Sequence, residues 1–296
     1  MFKGSIVALV TPMAPDGSLD IACLRSLVDW HIESGTVGIV IMGTTGESIN
    51  VTDDEYKLLI ETVMEHANGR IKVIAGTGNA STSKTIQCTK LAEQLNLDAC
   101  LIVTPYYNKP TQEGLYQHFK AVAESSSIPQ ILYNVPGRTS VDLLPETVAR
   151  LAEVDNIVGI KEATGCLERL QELMVIDNES FVLLSGDDPT ALQFIQQGGS
   201  GVISVTANVA PRQMSDMCNF ALTNESKKAD IINDCLSVLH KRLFVEPNPT
   251  AVKFLLNKLG RIPTGIRLPL LPLSKQYHEE FELFANNLLC NSALSR

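Results

Sequence analysis

At 296 residues the chain is longer than one ordinary domain and fits the scale of a single α/β barrel with an appendage. A content of 45% hydrophobic and 19% charged residues supplies a core and excludes extended disorder. The net charge of −9 and the scatter of the 24 basic residues exclude a surface that tracks a phosphate backbone, and no apolar stretch approaches the ~18 residues that span a bilayer.

The first apolar run, Ile6–Val10, is stopped by Thr11-Pro12 with no cleavage-site pattern after it, and reads as a strand and not as a leader. Further β-rich runs follow at Gly38–Met42, Lys72–Gly76, Cys100–Thr104, Gln130–Asn134, Ile157–Lys161, Phe181–Ser185 and Gly201–Val205. They are continuous apolar runs and not strict alternations, the pattern of strands covered on both faces. Helix signals lie between them. Thr52-Asp53-Asp54-Glu55 is a capping box and Asn68-Gly69 closes the segment it opens. Pro145, Pro189 and Pro211 sit where a first helical turn tolerates a missing N–H, and Gly35 and Gly198 follow periodic segments as stops. From about Asn224 the pattern is helical only, with Asn248-Pro249 read as a cap and Gly260 as a stop.

Strand and helix alternation permits either a closed barrel or an open doubly wound sheet. Polar residues decide between them. Thr11, Gly43-Thr44-Thr45, Thr77, Thr104-Pro105-Tyr106-Tyr107, Tyr133-Asn134, Lys161-Glu162, Ser185-Gly186 and Ser204 all fall at the carboxyl ends of the runs. Convergence of every strand on one end is what a barrel site requires. The expected architecture is a (β/α)₈ barrel over residues 1–223 with a C-terminal helical extension over 224–296.

The seven cysteines are isolated and odd in number, so neither a disulfide framework nor a zinc site is expected, and reduced thiols in a cytoplasm fit. The five histidines share no metal-ligand spacing. No metal is assigned and no cofactor is called for. Around Gly76-Thr77-Gly78-Asn79 the dinucleotide fingerprint lacks its third glycine, and the P-loop lacks the glycine before Lys84.

Lys161 carries the most information. The apolar run before it delivers an amine to the barrel mouth, and an amine that has lost its hydration is favoured in the neutral, nucleophilic form that condenses with a carbonyl. An isolated lysine at a strand end more commonly emerges into solvent or pairs with a neighbour such as Glu162, so its company matters. Tyr133 can shuttle protons. Arg138, in the loop after it, suits a carboxylate. Gly43-Thr44-Thr45-Gly46-Glu47 can aim N–H groups and hydroxyls at an anion, although a plain tight turn explains that pattern equally well.

In order, Gly43-Thr44-Thr45-Gly46-Glu47, Tyr106-Tyr107, Tyr133-Asn134-Val135-Pro136-Gly137-Arg138-Thr139, Gly159-Ile160-Lys161-Glu162 and Ser185-Gly186-Asp187 resemble the motifs of the dihydrodipicolinate synthase family through the whole barrel. The superfamily also holds N-acetylneuraminate lyase and sugar-acid aldolases, which share the lysine and the tyrosine but place other residues where Arg138 stands. A paralogous pyruvate-dependent aldolase and a non-catalytic ligand-binding barrel are the alternatives, and turnover would separate them.

The resemblance implies a Schiff-base lyase that condenses pyruvate with L-aspartate 4-semialdehyde to 4-hydroxytetrahydrodipicolinate, in diaminopimelate and lysine biosynthesis. It implies Lys161 as the imine-forming residue, Thr44, Tyr133 and Tyr107 as a proton relay, and Thr45 at the pyruvate carboxylate. Arg138 would hold the semialdehyde carboxylate, and Gly186 and Ile203 would offer backbone contacts. It further implies a homotetramer, a dimer of dimers in which Tyr107 completes a neighbour's site. Regulatory positions in lysine-sensitive members resemble Ser48, Asp53, Tyr56, Asn79, Lys84 and Tyr106, but Asp53, Tyr56 and Lys84 depart from the residues such members carry, so feedback inhibition is expected to be weak or absent.

Overall fold

The computed structural model describes residues 2–294 apart from 177 and 179, with residues 290–294 described by their backbone alone, so the side chain of Cys290 lies outside the described residues. Eight strands, β1 (Gly4–Ala8), β2 (Gly38–Ile41), β3 (Lys72–Gly76), β4 (Ala99–Val103), β5 (Gln130–Asn134), β6 (Ile157–Glu162), β7 (Val182–Ser185) and β8 (Gly201–Ser204), close into a parallel barrel in sequence order. The expected (β/α)₈ barrel is thereby realised, with helices between the strands and further helices after residue 224. Strand limits shift from the sequence reading by up to two residues. β1 begins at Gly4, where the chain already pairs with β8 through Gly4 and Gly201.

Two apolar layers share the strands. Inward side chains such as Ile6, Val40, Ile74, Leu101, Ile131 and Leu184 fill the barrel, while their neighbours Val7, Ile39, Val73, Cys100, Leu132 and Leu183 pack under the helices. This double burial is the reason the strands read as unbroken apolar runs. The helix Asp53–Ala67 carries its capping box as expected: Thr52 Oγ1 accepts from Glu55 N, and Glu55 answers at Thr52 N.

The polar residues at the strand ends divide into two groups. Some close the rim on itself: Thr11 Oγ1 donates to Gly46 O at 2.6 Å, Thr89 Oγ1 donates to Thr77 Oγ1, and Ser204 Oγ accepts from Ala207 N. Satisfying the buried rim consumes several of these groups.

The helix after Asn248-Pro249 runs Thr250–Lys258, but Asn248 does not cap it. Its side chain leaves the helix and donates to Thr45 Oγ1 instead. Among the described residues six cysteines are free thiols. Among the described residues no helix is long and apolar enough to cross a membrane.

Candidate active site

A cavity of about 450 Å³ opens at the carboxyl ends of the strands, with Lys161, Tyr133, Thr44, Thr45, Arg138 and Gly186 in its wall. Register explains how two of these meet. Tyr133 on β5 pairs with Lys161 on β6, so both side chains point inward in one layer, while the next pair, Asn134 and Glu162, points outward. Lys161 is 6% exposed and its Nζ lies 4.3 Å from the centre of the Tyr133 ring. No carboxylate answers it among the described residues.

Glu162, the partner that a surface reading would give Lys161, is engaged on the other face of the sheet. Asn134 Nδ2 donates to it at 3.0 Å, Thr164 N at 2.7 Å, and Arg169 stands 3.8 Å away. Burial pushes its carboxyl above the usual carboxylate range, and these donors pull back against that. Asn134 also donates to Asp142 and accepts from Leu143 N at 2.9 Å. The outer network thus fastens the strand that carries Lys161 to the loop that carries Arg138.

That loop makes one helical turn, Pro136–Thr139, with Pro136 at its start. Arg138 is exposed at the mouth of the cavity and has no carboxylate partner among the described residues. A free guanidinium beside a cavity is suited to a bidentate carboxylate contact.

The turn after β2 closes on itself: Gly46 N and Ser48 N reach Gly43 O, and Glu47 N reaches Thr44 O at 3.1 Å. The N–H groups of Thr44 and Thr45 have no partner among the described residues, so two donors and two hydroxyls remain for a ligand. Met42 and Glu47 hold left-handed backbone angles on either side, φ 59° and 55°. Such angles cost free energy in non-glycine residues and persist where surrounding contacts impose them.

For Glu47 those contacts come from the C-terminal segment. Lys253 Nζ donates to Glu47 Oε1 at 2.6 Å, and Arg267 N donates to Oε2 at 3.1 Å. Burial drives the Lys253 amine below its usual value, and the carboxylate beside it draws the value back up. The sequence reading missed Asn248, Lys253 and the role of Glu47, because their partners lie 203 and 206 residues away and no local pattern connects them.

Two predicted residues stand apart from the cavity. Tyr107 is 94% exposed on a left-handed backbone, φ 72°, and Ile203 lies within the barrel core beneath the site. Gly186 does reach the lysine: a Cβ there would come within 2.8 Å of Lys161 Cε and 2.7 Å of Ala163 Cβ. Of the six regulatory positions, Ser48 and Tyr106 line the cavity. The others are occupied with neighbours. Lys84 Nζ donates to both oxygens of Asp53, at 2.8 and 2.9 Å, Tyr56 Oη donates to Gly76 O, and Asn79 Oδ1 accepts from Ser81 N.

The sequence profile of the dihydrodipicolinate synthetase family matches residues 1–287. The chain belongs to the dihydrodipicolinate synthetase family. Among relatives named 4-hydroxy-tetrahydrodipicolinate synthase, that of Methylococcus capsulatus is 57% identical over 94% of this chain and 96% of its own. That of Alcanivorax borkumensis is 58% identical over 93% and 94%. A crystal structure of the chloride-inhibited dihydrodipicolinate synthase from Acinetobacter baumannii, complexed with pyruvate, superposes with a TM-score of 0.95 at 50% identity, covering 97% of this chain and 99% of that one. As a member of the dihydrodipicolinate synthetase family the chain is an enzyme, a lyase of the class I aldolase type.

Proposed function

We propose that this chain condenses pyruvate with L-aspartate 4-semialdehyde through an imine on Lys161, yielding 4-hydroxytetrahydrodipicolinate. The observation that carries the reading is a lysine 6% exposed, facing a tyrosine ring and lacking a counter-ion, in the wall of a cavity. An amine so placed, beside a phenol and open to the cavity, is positioned for covalent catalysis.

Lys161 Nζ attacks the keto carbon of pyruvate; the oxygen leaves as water and the C=N bond forms. Loss of a methyl proton gives an enamine, whose terminal carbon adds to the aldehyde. The amino group of the second substrate then attacks the imine carbon, closing a ring and returning Lys161 as a free amine. Thr44 and Tyr133, both in the cavity wall, are the groups to move the protons. The N–H groups and hydroxyls of the Thr44–Thr45 turn suit the pyruvate carboxylate, and Arg138 at the mouth suits the carboxylate of the semialdehyde. Gly186 and Ile203 complete the reading as backbone contacts.

Trapping tests it. Borohydride added with pyruvate attaches a reduced pyruvyl group to Lys161, located by peptide mass mapping, and Lys161→Ala loses the adduct while retaining the fold. An adduct on another lysine, or none in an active preparation, overturns the assignment.

The fully exposed Tyr107 supports a shared site in a homotetramer, a dimer of dimers, in which this tyrosine reaches a neighbour's Thr44 and Tyr133. Mixing inactive Tyr107→Phe and Tyr133→Phe chains then restores part of the activity. No recovery in proven mixed oligomers makes each subunit self-contained. A cytoplasmic location accords with the free thiols.

A further inference from the structure

We infer that Asn248 is a positioning residue for the pyruvate carboxylate site: its amide orients the Thr45 hydroxyl so that the Thr45 proton points into the cavity. The inference rests on the placement of that carboxylate at the Thr44–Thr45 turn.

Asn248 is 6% exposed, lies in the cavity wall, and donates from Nδ2 to Thr45 Oγ1 at 2.9 Å. A hydroxyl has one proton and two lone pairs. With a lone pair engaged by Asn248, the Thr45 O–H is left to donate, and no acceptor for it exists among the described residues. Thr45 itself is 2% exposed, so a buried donor without an acceptor awaits an anion. The amide end of Asn248 does this alone: its Oδ1 has no hydrogen-bond partner among the described residues. Nor can the segment drift, because Lys253 and Arg267 grip Glu47 two residues beyond Thr45. The donors of the turn and the residue that aims one of them therefore come from opposite ends of the chain.

A purely structural tie between the C-terminal segment and the barrel would show itself in stability and would touch both substrates alike. Positioning of one hydroxyl touches pyruvate alone. The experiment compares the pyruvate KM, the semialdehyde KM and the pyruvate concentration that half-saturates borohydride trapping, in the full-length enzyme and in Asn248→Ala, Asn248→Asp, Thr45→Val and the double variant Thr45→Val/Asn248→Ala. Asn248→Ala is expected to raise the pyruvate values about five- to ten-fold, with the semialdehyde KM within about two-fold, the loss of one oriented hydrogen bond to a charged group. Asn248→Asp, nearly the same shape, is expected to raise them further, about thirty-fold or more, since a carboxylate only accepts and takes the Thr45 proton for itself. This variant also serves where Asn248→Ala does not fold. The double variant is expected to match Thr45→Val, because Asn248 acts through Thr45.

Additive effects in the double variant, equal rises for both substrates, or an unchanged pyruvate KM in Asn248→Asp overturn the role of Asn248. An unchanged pyruvate KM in Thr45→Val overturns instead the placement of the carboxylate at this turn.

Discussion

The end of β6 and the helix Thr250–Lys258 each bury a lysine, and they use it in opposite ways. Lys161 and Lys253 are 6% and 4% exposed. Lys253 meets Glu47 at 2.6 Å, whereas Lys161 has no carboxylate partner among the described residues and lies against the face of the Tyr133 ring. Burial alone therefore does not make a nucleophile. A buried cation with a counter-ion is a fastener, and under the proposed function the lysine that lacks one is the nucleophile.

The largest expected effects come from exchanging each lysine for methionine, similar in bulk and uncharged. Lys161→Met is expected to reduce kcat/KM at least about a thousand-fold, as removal of a covalent nucleophile does, with a thermal midpoint unchanged or raised. Lys253→Met is expected to cost about 3–5 kcal/mol of stability by leaving Glu47 charged and unpaired. Chemical denaturation of both proteins checks the pair. If Lys161→Met is the less stable of the two, the distinction between fastener and nucleophile fails. Adding Glu47→Gln to Lys253→Met removes the orphaned charge and is expected to restore part of the loss.

A smaller effect belongs to a second fastener, Arg267, whose guanidinium donates to both oxygens of Glu55. The bond to Arg267 holds the Glu55 carboxyl down to about 2 from 4.5. A carboxylate depressed in the folded state contributes stability that is complete above the unfolded value and disappears as pH falls toward the folded one. Between about pH 4.5 and pH 2 the protein is thus expected to lose stability that Glu55→Gln lacks from the start. Denaturation midpoints taken down through that window should converge for the two proteins, and parallel curves would show the ion pair to be inert. Buried His31 and His118, pushed down to about 3 and about 4 by desolvation, act in the same direction below about pH 6.5, because the unfolded chain takes up their protons first.

The smallest effect expected is a negative one. Lys84 is a surface cation already paired with Asp53, and the pair stands among the positions that resemble the regulatory positions of lysine-sensitive family members. If the resemblance holds, free lysine has to displace this pair and meets a cation at position 84 in place of an acceptor. Loss of one charge-assisted hydrogen bond, ~1.5–3 kcal/mol, weakens binding roughly ten- to a hundred-fold. Initial rates across a lysine titration, at saturating and limiting pyruvate, are expected to show weak inhibition or none, and strong inhibition at submillimolar lysine would show that the Lys84–Asp53 pair does not keep the effector out.

The barrel and half of its site were legible because they are local. Each strand announces itself by an apolar run, and each run ends on the residue it delivers, as with Tyr133 and Lys161. Neighbouring strands then bring those ends together without further instruction. Asn248 was illegible for the opposite reason. Asn-Pro before a helix satisfies every local rule for a cap, and only closure of the whole chain reveals that its amide is spent on Thr45. Lys253 reads as an ordinary helix residue until Glu47 arrives from the second strand. At Thr11, Thr77 and Ser204 the ambiguity is of another kind: a hydroxyl at a strand end looks the same in sequence whether it serves a ligand or the rim.

Gly186 sets a boundary for anyone who would redesign this pocket. A methyl group there would meet Ala163 Cβ at 2.7 Å and Lys161 Cε at 2.8 Å, so a side chain at this position displaces the lysine stem or its neighbour. Any remodelling for a larger or smaller keto acid has to work elsewhere in the wall, where Val135 and Leu101 line the cavity. A library that randomises position 186 along with those two would spend most of its members on enzymes whose nucleophile has been pushed aside.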